Sequence, residues 1–394
     1  MSSSQPAAGT LDFSLIRGDP LFRLQRRIGL IPPDGLGLLR RAAFWSMLGW
    51  LPVVLWAVYT HRALPGIADE PLLAHFGIHA RLLVAVPLLI LAEGPAHALA
   101  GKLLRHLVES GVVRTDGMAA FRAVLATAAK MRDSTLPWIV IVGIVVAFAT
   151  TSELVHHAHE IDWAGETSAP ERVGFGGLWY LYVGRPVFLV LALGWLWRLV
   201  LLTVLLWRIA RLDLALVPTH PDRAGGIGFL EWLPVAFAPV VLAISIVVAS
   251  RLAHDAVYHE LALQSMRAQM IVFVVVFVVL FLLPLLVFGG PLKRAKRKAL
   301  LDYGSLVGRH GRLVRQRWIE GRPLDDDAVL NAPELGPVAD TAALFDSVQA
   351  MRTVPLGKAS LVPLAAAAIV PMLAVLALQV PVKDMLLTLL KALA

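Results

Sequence analysis

The chain has 394 residues, of which 58% are hydrophobic and only 16% charged, and its mean hydropathy is +0.71. A soluble globular chain carries nearer ~25% charged residues, so the composition excludes a water-soluble enzyme or binding module and makes lipid the solvent. The net charge of +8 would suggest nucleic acid in a soluble protein; here it sits beside apolar runs, as basic loops do on an anionic membrane.

Residues 1–41 begin polar, carry Pro20, Pro32 and Pro33 and have no apolar run of the kind a signal peptide needs. Between 11 and 30, Leu15, Ile16, Phe22, Leu24 and Ile28 alternate with Arg17, Arg23, Arg26 and Arg27. That mixture predicts a short helix lying on the membrane surface.

Seven apolar runs follow: Ala42–Thr60, Leu82–Ala100, Leu136–Ser152, Gly176–Trp207, Phe229–Ser250, Gln269–Gly290 and Ala359–Val380. A helix needs roughly 20 residues to cross the hydrocarbon, so each is long enough or nearly so. The expected fold is an all-α polytopic bundle of about seven transmembrane helices. The last run contains Pro363 and Pro371, which leaves room for a re-entrant segment. The organisation read from these runs is an interfacial segment over 1–41 and a six-helix core over 42–290. A basic helix and acidic segment over 291–358 and a hydrophobic helix with an amphipathic tail over 359–394 complete it.

Placing the N-terminus inside puts 27 of the 36 Lys and Arg residues on the inner side and 7 on the outer. Basic loops stay cytoplasmic, so the N-terminus is expected there. Among the inner segments, Gly101–Ser134 has Phe121, Val124, Leu125 and Met131 on one helical side. Pro291–Arg322 holds ten Lys and Arg against Asp302 and Glu320. The partners expected are therefore the bilayer itself and anionic lipid headgroups at Lys293–Lys298. Association with a second copy stays open. Nucleic acid is not expected, because the basic residues are not interleaved with aromatic ones.

Ionisable residues inside spans carry the most physical weight. A charge in hydrocarbon costs ~2.5–3.5 kcal/mol even on the lenient insertion scale, so it normally has a partner. Glu93 and His97 are i,i+4 on the second run and share a face. Arg185 and Arg198 lie in the fourth run, and Glu231 starts the fifth, level with Arg198 or Arg208. Depth counted from the ends of the apolar runs pairs Glu93 with Arg185, less than one turn away, and leaves Arg198 about three turns too deep. Such residues line an ion path or lock helices together.

Loops on both sides offer further chemistry. His220, Asp222, Arg223, Gly225 and Gly226 form a turn-rich stretch before the fifth run. Its glycines free backbone amides for an anion, or simply allow a tight turn closed by Asp222. On the expected outer side, His75 and His79 have i,i+4 spacing, His156, His157 and His159 cluster, and His254 and His259 follow the fifth run. Imidazoles in such numbers suit zinc, nickel or copper, or a polar loop that uses histidine. No cysteine is present, which excludes disulfides and thiolate metal sites. Nothing in the sequence points to a cofactor.

The stretch Pro218–Leu230 (PTHPDRAGGIGFL), with Arg81–Glu93 (RLLVAVPLLILAE) and the Trp- and Arg-rich fourth run, resembles a family of uncharacterised bacterial multi-pass membrane proteins. The resemblance extends from about Arg17 to the C-terminus. It implies the bacterial inner membrane and brings no activity, ligand or catalytic residue. Two functions from different classes fit these readings. One is a channel or transporter for an ion or small solute, using the intramembrane charges. The alternative is a non-catalytic scaffold or signalling partner acting through its cytosolic segment. A membrane enzyme ranks last, because no nucleophile elbow, HExxH or paired intramembrane aspartates appear.

Overall fold

The computed structural model describes residues 13–65, 71–155, 162–165, 173–258, 263–322 and 336–379. The described residues are helical almost throughout. Their β-structure is limited to two isolated antiparallel bridges, Val113 to Leu214 and Gly165 to Val173.

Among the described residues, seven helices are long and apolar enough to cross a membrane: Leu38–Tyr59, Phe76–Glu109, Met118–Thr150, Phe175–Ile209, Gly228–Tyr258, Met266–Leu286 and Lys358–Ala377. These are the first to seventh spans. In lipid every backbone N–H and C=O must be satisfied within the chain, and a helix does this locally. The protein is a multi-pass membrane protein with an all-α bundle, as its composition predicts.

The spans depart from the apolar runs mainly at their ends. The second starts at Phe76 and runs on to Glu109, 34 residues in all, because the polar stretch after Ala100 keeps helical phasing. Its lower part buries Leu103, Leu104 and Leu107. The third is built in two pieces, Met118–Asp133 and Leu136–Val155, separated where Ser134 turns extended. The first piece buries Phe121, Leu125 and Ala128, the side expected from their spacing, and packs on the fourth span. The seventh continues as one helix through Pro363 and Pro371, so neither proline breaks it.

The seventh span lies along the fifth and sixth, and the fifth also packs on the start of the second. The first and fourth approach closely at Gly49 and Gly184: a Cβ on Gly49 would stand 3.0 Å from Leu82 and 3.5 Å from the Gly184 Cα. Small residues let helix backbones approach in lipid, where packing rather than hydrophobicity drives association. The second and fourth spans each carry one π-helical stretch, Ala80–Ala85 and Tyr180–Gly184. Arg81 of one donates to the Tyr180 hydroxyl of the other.

The N-terminal segment buries one face against the bundle and leaves Leu24 and Ile28 of the other more than half exposed. Asp19 caps the helix Pro20–Arg27 by accepting from the Phe22 amide at 2.6 Å, Pro20 opens it, and Arg26 and Arg27 sit in its last turn. Each feature suits its helix end. Leu15, Ile16, Asp19 and Gln25 are each at most 2% exposed. The expected interfacial placement took the arginines as evidence of a wet face. The four arginines are indeed exposed, and one of them, Arg23, donates to the Asp133 carbonyl at 2.8 Å; the opposite face is what docks.

Beyond the sixth span, the basic helix Gly289–Val314 carries a second helix, Gly336–Gln349, along its side. These two lie outside the spans, on the face where the first span begins.

Candidate functional site

Four charged side chains meet where the N-terminal helix enters the bundle. Glu93, in the middle of the second span, faces Arg198 of the fourth at 3.0 Å and is bonded by Arg41 of the first. Arg198 also reaches Asp19 at 2.8 Å. Gln25 accepts from the Arg41 Nε. Exposure is 0% for Arg41 and Glu93, 2% for Asp19 and 3% for Arg198, so the cluster is closed to solvent. Two arginines against two carboxylates make it formally neutral.

Neighbouring aromatic rings complete the enclosure. The Arg198 guanidinium lies 5.0 Å from the Trp195 ring centroid, and Arg41 lies 6.0 Å from that of Phe22. Trp195 donates to the Leu89 carbonyl at 2.8 Å, which ties the fourth span to the second one turn before Glu93. His97, one turn after Glu93, bonds the Ser14 hydroxyl at 2.8 Å. Arg132 donates to the Ser14 carbonyl at 2.6 Å. The shared face of Glu93 and His97, legible from their spacing, receives the N-terminal segment.

Burial pushes the Asp19 carboxyl up, and Arg198 with the Phe22 amide offsets only part of that rise. Asp19 also approaches the pair of arginines from outside the spans. It is therefore the member of the cluster whose negative charge is least secured.

The expected pairing of Glu93 with Arg185 is replaced by Arg198 and Arg41. The cause is the position of the helix ends. Counted from Phe76 and Phe175, Glu93 lies about 25 Å down its helix, Arg185 about 15 Å and Arg198 about 34 Å. The two arginines are then almost equally offset, and Arg198 faces the site where Asp19 adds a second carboxylate. Arg185 is half-buried, one residue beyond the π-helical stretch of its span. Glu231 pairs with Arg352 at 3.5 Å, not with Arg198 or Arg208. Gly357 makes room for it: a Cβ there would collide with the Glu231 carboxylate.

In the loop before the fifth span, the Asp222 carboxylate accepts from the amides of Ala224 at 2.8 Å, Gly226 at 3.2 Å and Gly228 at 2.7 Å. His220 Nδ1 stands 2.9 Å from it. Arg223, Gly225 and Gly226 all have positive φ, which aims successive amides inward. The hollow that could cradle a phosphate is occupied by the chain's own carboxylate. Partial burial would raise the Asp222 carboxyl; the three amides and His220 outweigh it and hold it below the usual aspartate value. Arg352 then fastens the loop to the start of the seventh span, donating to the Asp222 carbonyl at 2.9 Å and the Leu356 carbonyl at 2.7 Å.

On the opposite face, His79 accepts from the Trp50 indole at 3.0 Å through Nδ1, and its Nε2 lies 3.1 Å from the Leu72 carbonyl. Both ring nitrogens are thus engaged, so the spacing to His75 does not make a ligand pair. His75 stacks on His254 with ring centroids 5.0 Å apart, and Tyr258 lies 4.8 Å from His254. His156, His157, His159 and His259 lie outside the described residues. Among the described residues no three His, Asp or Glu side chains converge as a metal would require.

The basic residues expected to meet lipid divide among different roles. Lys296 donates to the carbonyls of Gln349 at 2.8 Å and Met351 at 2.6 Å, closing the end of the Gly336–Gln349 helix as a cation at a helix C-terminus does. Lys293, Arg294, Arg297 and Lys298 are exposed.

Arg41, Asp19, Gln25 and Arg352 were not among the residues singled out from sequence. Arg41 sits at the boundary of the first apolar run, and Asp19-Pro20 is a legible helix start. Those were the available signals. No family model, curated protein or solved structure matches the chain. What it does is therefore argued from its own residues.

Proposed function

We propose that the protein is a non-catalytic scaffold or signalling partner of the bacterial inner membrane, with its N-terminus in the cytoplasm, acting through the helices Gly289–Val314 and Gly336–Gln349. The observation that carries this reading is the closure of the charged cluster. Glu93, Arg41, Asp19 and Arg198 are at most 3% exposed and neutralise one another. Residues on an ion path must meet water or a passing ion at some stage, whereas these hold three spans and the N-terminal helix together. The basic helix and the π-helical turn Arg315–Ile319 that continues it supply the surface for a partner: Leu301, Trp318 and Ile319 are 75%, 61% and 78% exposed.

The test has two arms. Reconstituted in liposomes, the protein should give no flux above empty vesicles across a panel of ions. In cells, Leu301→Ser with Trp318→Ser and Ile319→Ser should abolish cross-linking of this segment to other proteins while membrane insertion is unchanged. Selective flux, or cross-links that survive the triple change, would reject the reading.

A transporter is favoured by one specific observation. Two adjoining spans carry π-helical stretches at the same bond, Arg81 to Tyr180, and π-bulges are frequent at functional sites. Selective flux that falls on Tyr180→Phe would establish that alternative.

A further inference from the structure

A groove of about 490 Å³ runs between the segment that follows the fourth span and one face of the basic helix. Its wall on the basic helix is formed by Arg294, Ala295, Lys298, Ala299 and Asp302, positions whose three- and four-residue steps place them on one side. Its floor is apolar, from Leu212, Leu214 and Leu216. Its level is that of the membrane edge: the fourth span ends at Ile209 and the sixth at Leu286, and the groove begins at Ala210 and Pro291.

Charge on the rim is unequal. Arg211, Arg294 and Lys298 outnumber Asp213 and Asp302 in its lining. Asp213 is taken by Arg114 at 3.2 Å, which brings a fourth cation to the edge. The Arg211 guanidinium lies 3.8 Å from the Trp207 ring centroid. Tryptophan settles at the lipid–water boundary, and an arginine stacked on it is held flat at headgroup depth with its N–H groups directed sideways. An apolar floor, a cationic rim and an interfacial arginine suit one molecule that carries a phosphate beside a glycerol ester.

We propose that this groove binds a single anionic phospholipid, its phosphate between Arg211, Arg294 and Lys298 and its glycerol ester on the leucine floor. The site is narrower than a basic helix lying on lipid. Lys293 and Arg297 belong to other faces of the helix and take no part, and Lys296 is already held by the Gly336–Gln349 helix. The inference does not rest on the scaffold reading, since a transporter would use the same anchor.

Full-length protein is placed in nanodiscs of equal phosphatidylglycerol and phosphatidylcholine, and native mass spectrometry counts the lipid retained on release. The wild type should keep one phosphatidylglycerol in preference to phosphatidylcholine. Arg211→Gln with Arg294→Gln and Lys298→Gln should lower that retained fraction at least ten-fold. Lys293→Gln with Arg297→Gln, an equally exposed basic pair outside the groove, should leave it within two-fold. Asp302→Asn removes a rim carboxylate and should raise retention, a gain that misfolding cannot mimic. Equal losses from the two sets of Gln changes would mean a diffuse field rather than a site. Retention by the groove variant, no gain from Asp302→Asn, or displacement of the lipid by millimolar inorganic phosphate would each overturn the proposal.

Discussion

Two acid–base networks lie at different depths of the same protein. Around Glu93, four ionised groups are shut away from solvent and each carboxylate touches at least one guanidinium. Around Asp222 and Glu231, the charges are half-exposed and most of the bonds go to backbone amides and carbonyls. The first network joins separate spans, and losing one member leaves a buried charge behind. The second shapes a turn and fastens it to the seventh span, where water replaces a lost partner. Similar side chains therefore have unequal consequences, and depth decides which.

Removing Glu93 should have the largest effect. Glu93→Ala strands Arg41 and leaves Arg198 with Asp19 alone, and breaking a buried pair costs ~3–5 kcal/mol. Folded yield in detergent should collapse. If Arg41→Met with Glu93→Leu restores yield, the cluster's role is structural; if folding recovers but a measured flux disappears, the comparison of depths has missed a path.

Asp19→Ala should come next, at about 1–3 kcal/mol, because Arg198 keeps Glu93. Its signature is local. Limited proteolysis within residues 13–31 should accelerate while cleavage elsewhere is unchanged. Uniform acceleration would mean that the segment folds as one with the spans.

Asp222→Ala should cost about 1–2 kcal/mol, the range for a lost capping side chain. Because the native carboxyl lies below its usual value, its stabilisation is fully present above the ordinary aspartate value. It fades as the pH falls through that value and is gone below the depressed native one. Thermal unfolding followed from pH 6 to pH 3 should therefore fall more steeply in the wild type than in Asp222→Asn. Parallel curves would remove Asp222 from the acid response.

The smallest effect belongs to Glu231→Gln, expected within about 1 kcal/mol because the pair with Arg352 is partly solvated. Gly357→Ala should exceed it, since the added carbon collides with the Glu231 carboxylate. The double change Glu231→Ala with Gly357→Ala should recover the difference. A Glu231→Gln loss as large as that of Glu93→Ala would erase the distinction between the two networks.

Much of the bundle is legible in the sequence because apolar length is a direct readout of the solvent. Each of the seven runs overlaps a span, including the proline-containing last one. What hydropathy does not reveal is where helices stop, since a helix continues past the apolar run wherever its phasing allows, as from Gly101 to Glu109. The same happens at the start of the second span, which begins at Phe76 rather than Leu82, and that shift of one to two turns misassigned the partner of Glu93. Arg41 lay hidden at a run boundary, where an arginine usually meets water or headgroups. Asp19 lay hidden in a segment whose arginines suggested a wet surface. The importance of Asp222 was legible as turn chemistry; its bond to Arg352, 130 residues away, was not.

The separation of Arg198 from Asp19 along the chain has a consequence for synthesis. The two are 179 residues apart, whereas Arg41 and Glu93 are 52 apart. At roughly 5–20 residues per second, the ribosome emits Arg198 on the order of ten to forty seconds after Asp19. Arg41 and Glu93 can enter the bilayer as a neutral couple once two spans exist. Asp19 must wait with its segment undocked until the fourth span arrives. The segment around Asp19 is thus made before the spans it joins and seated only when the fourth is in place, and a nascent chain halted before the fourth span should carry it undocked and open to protease.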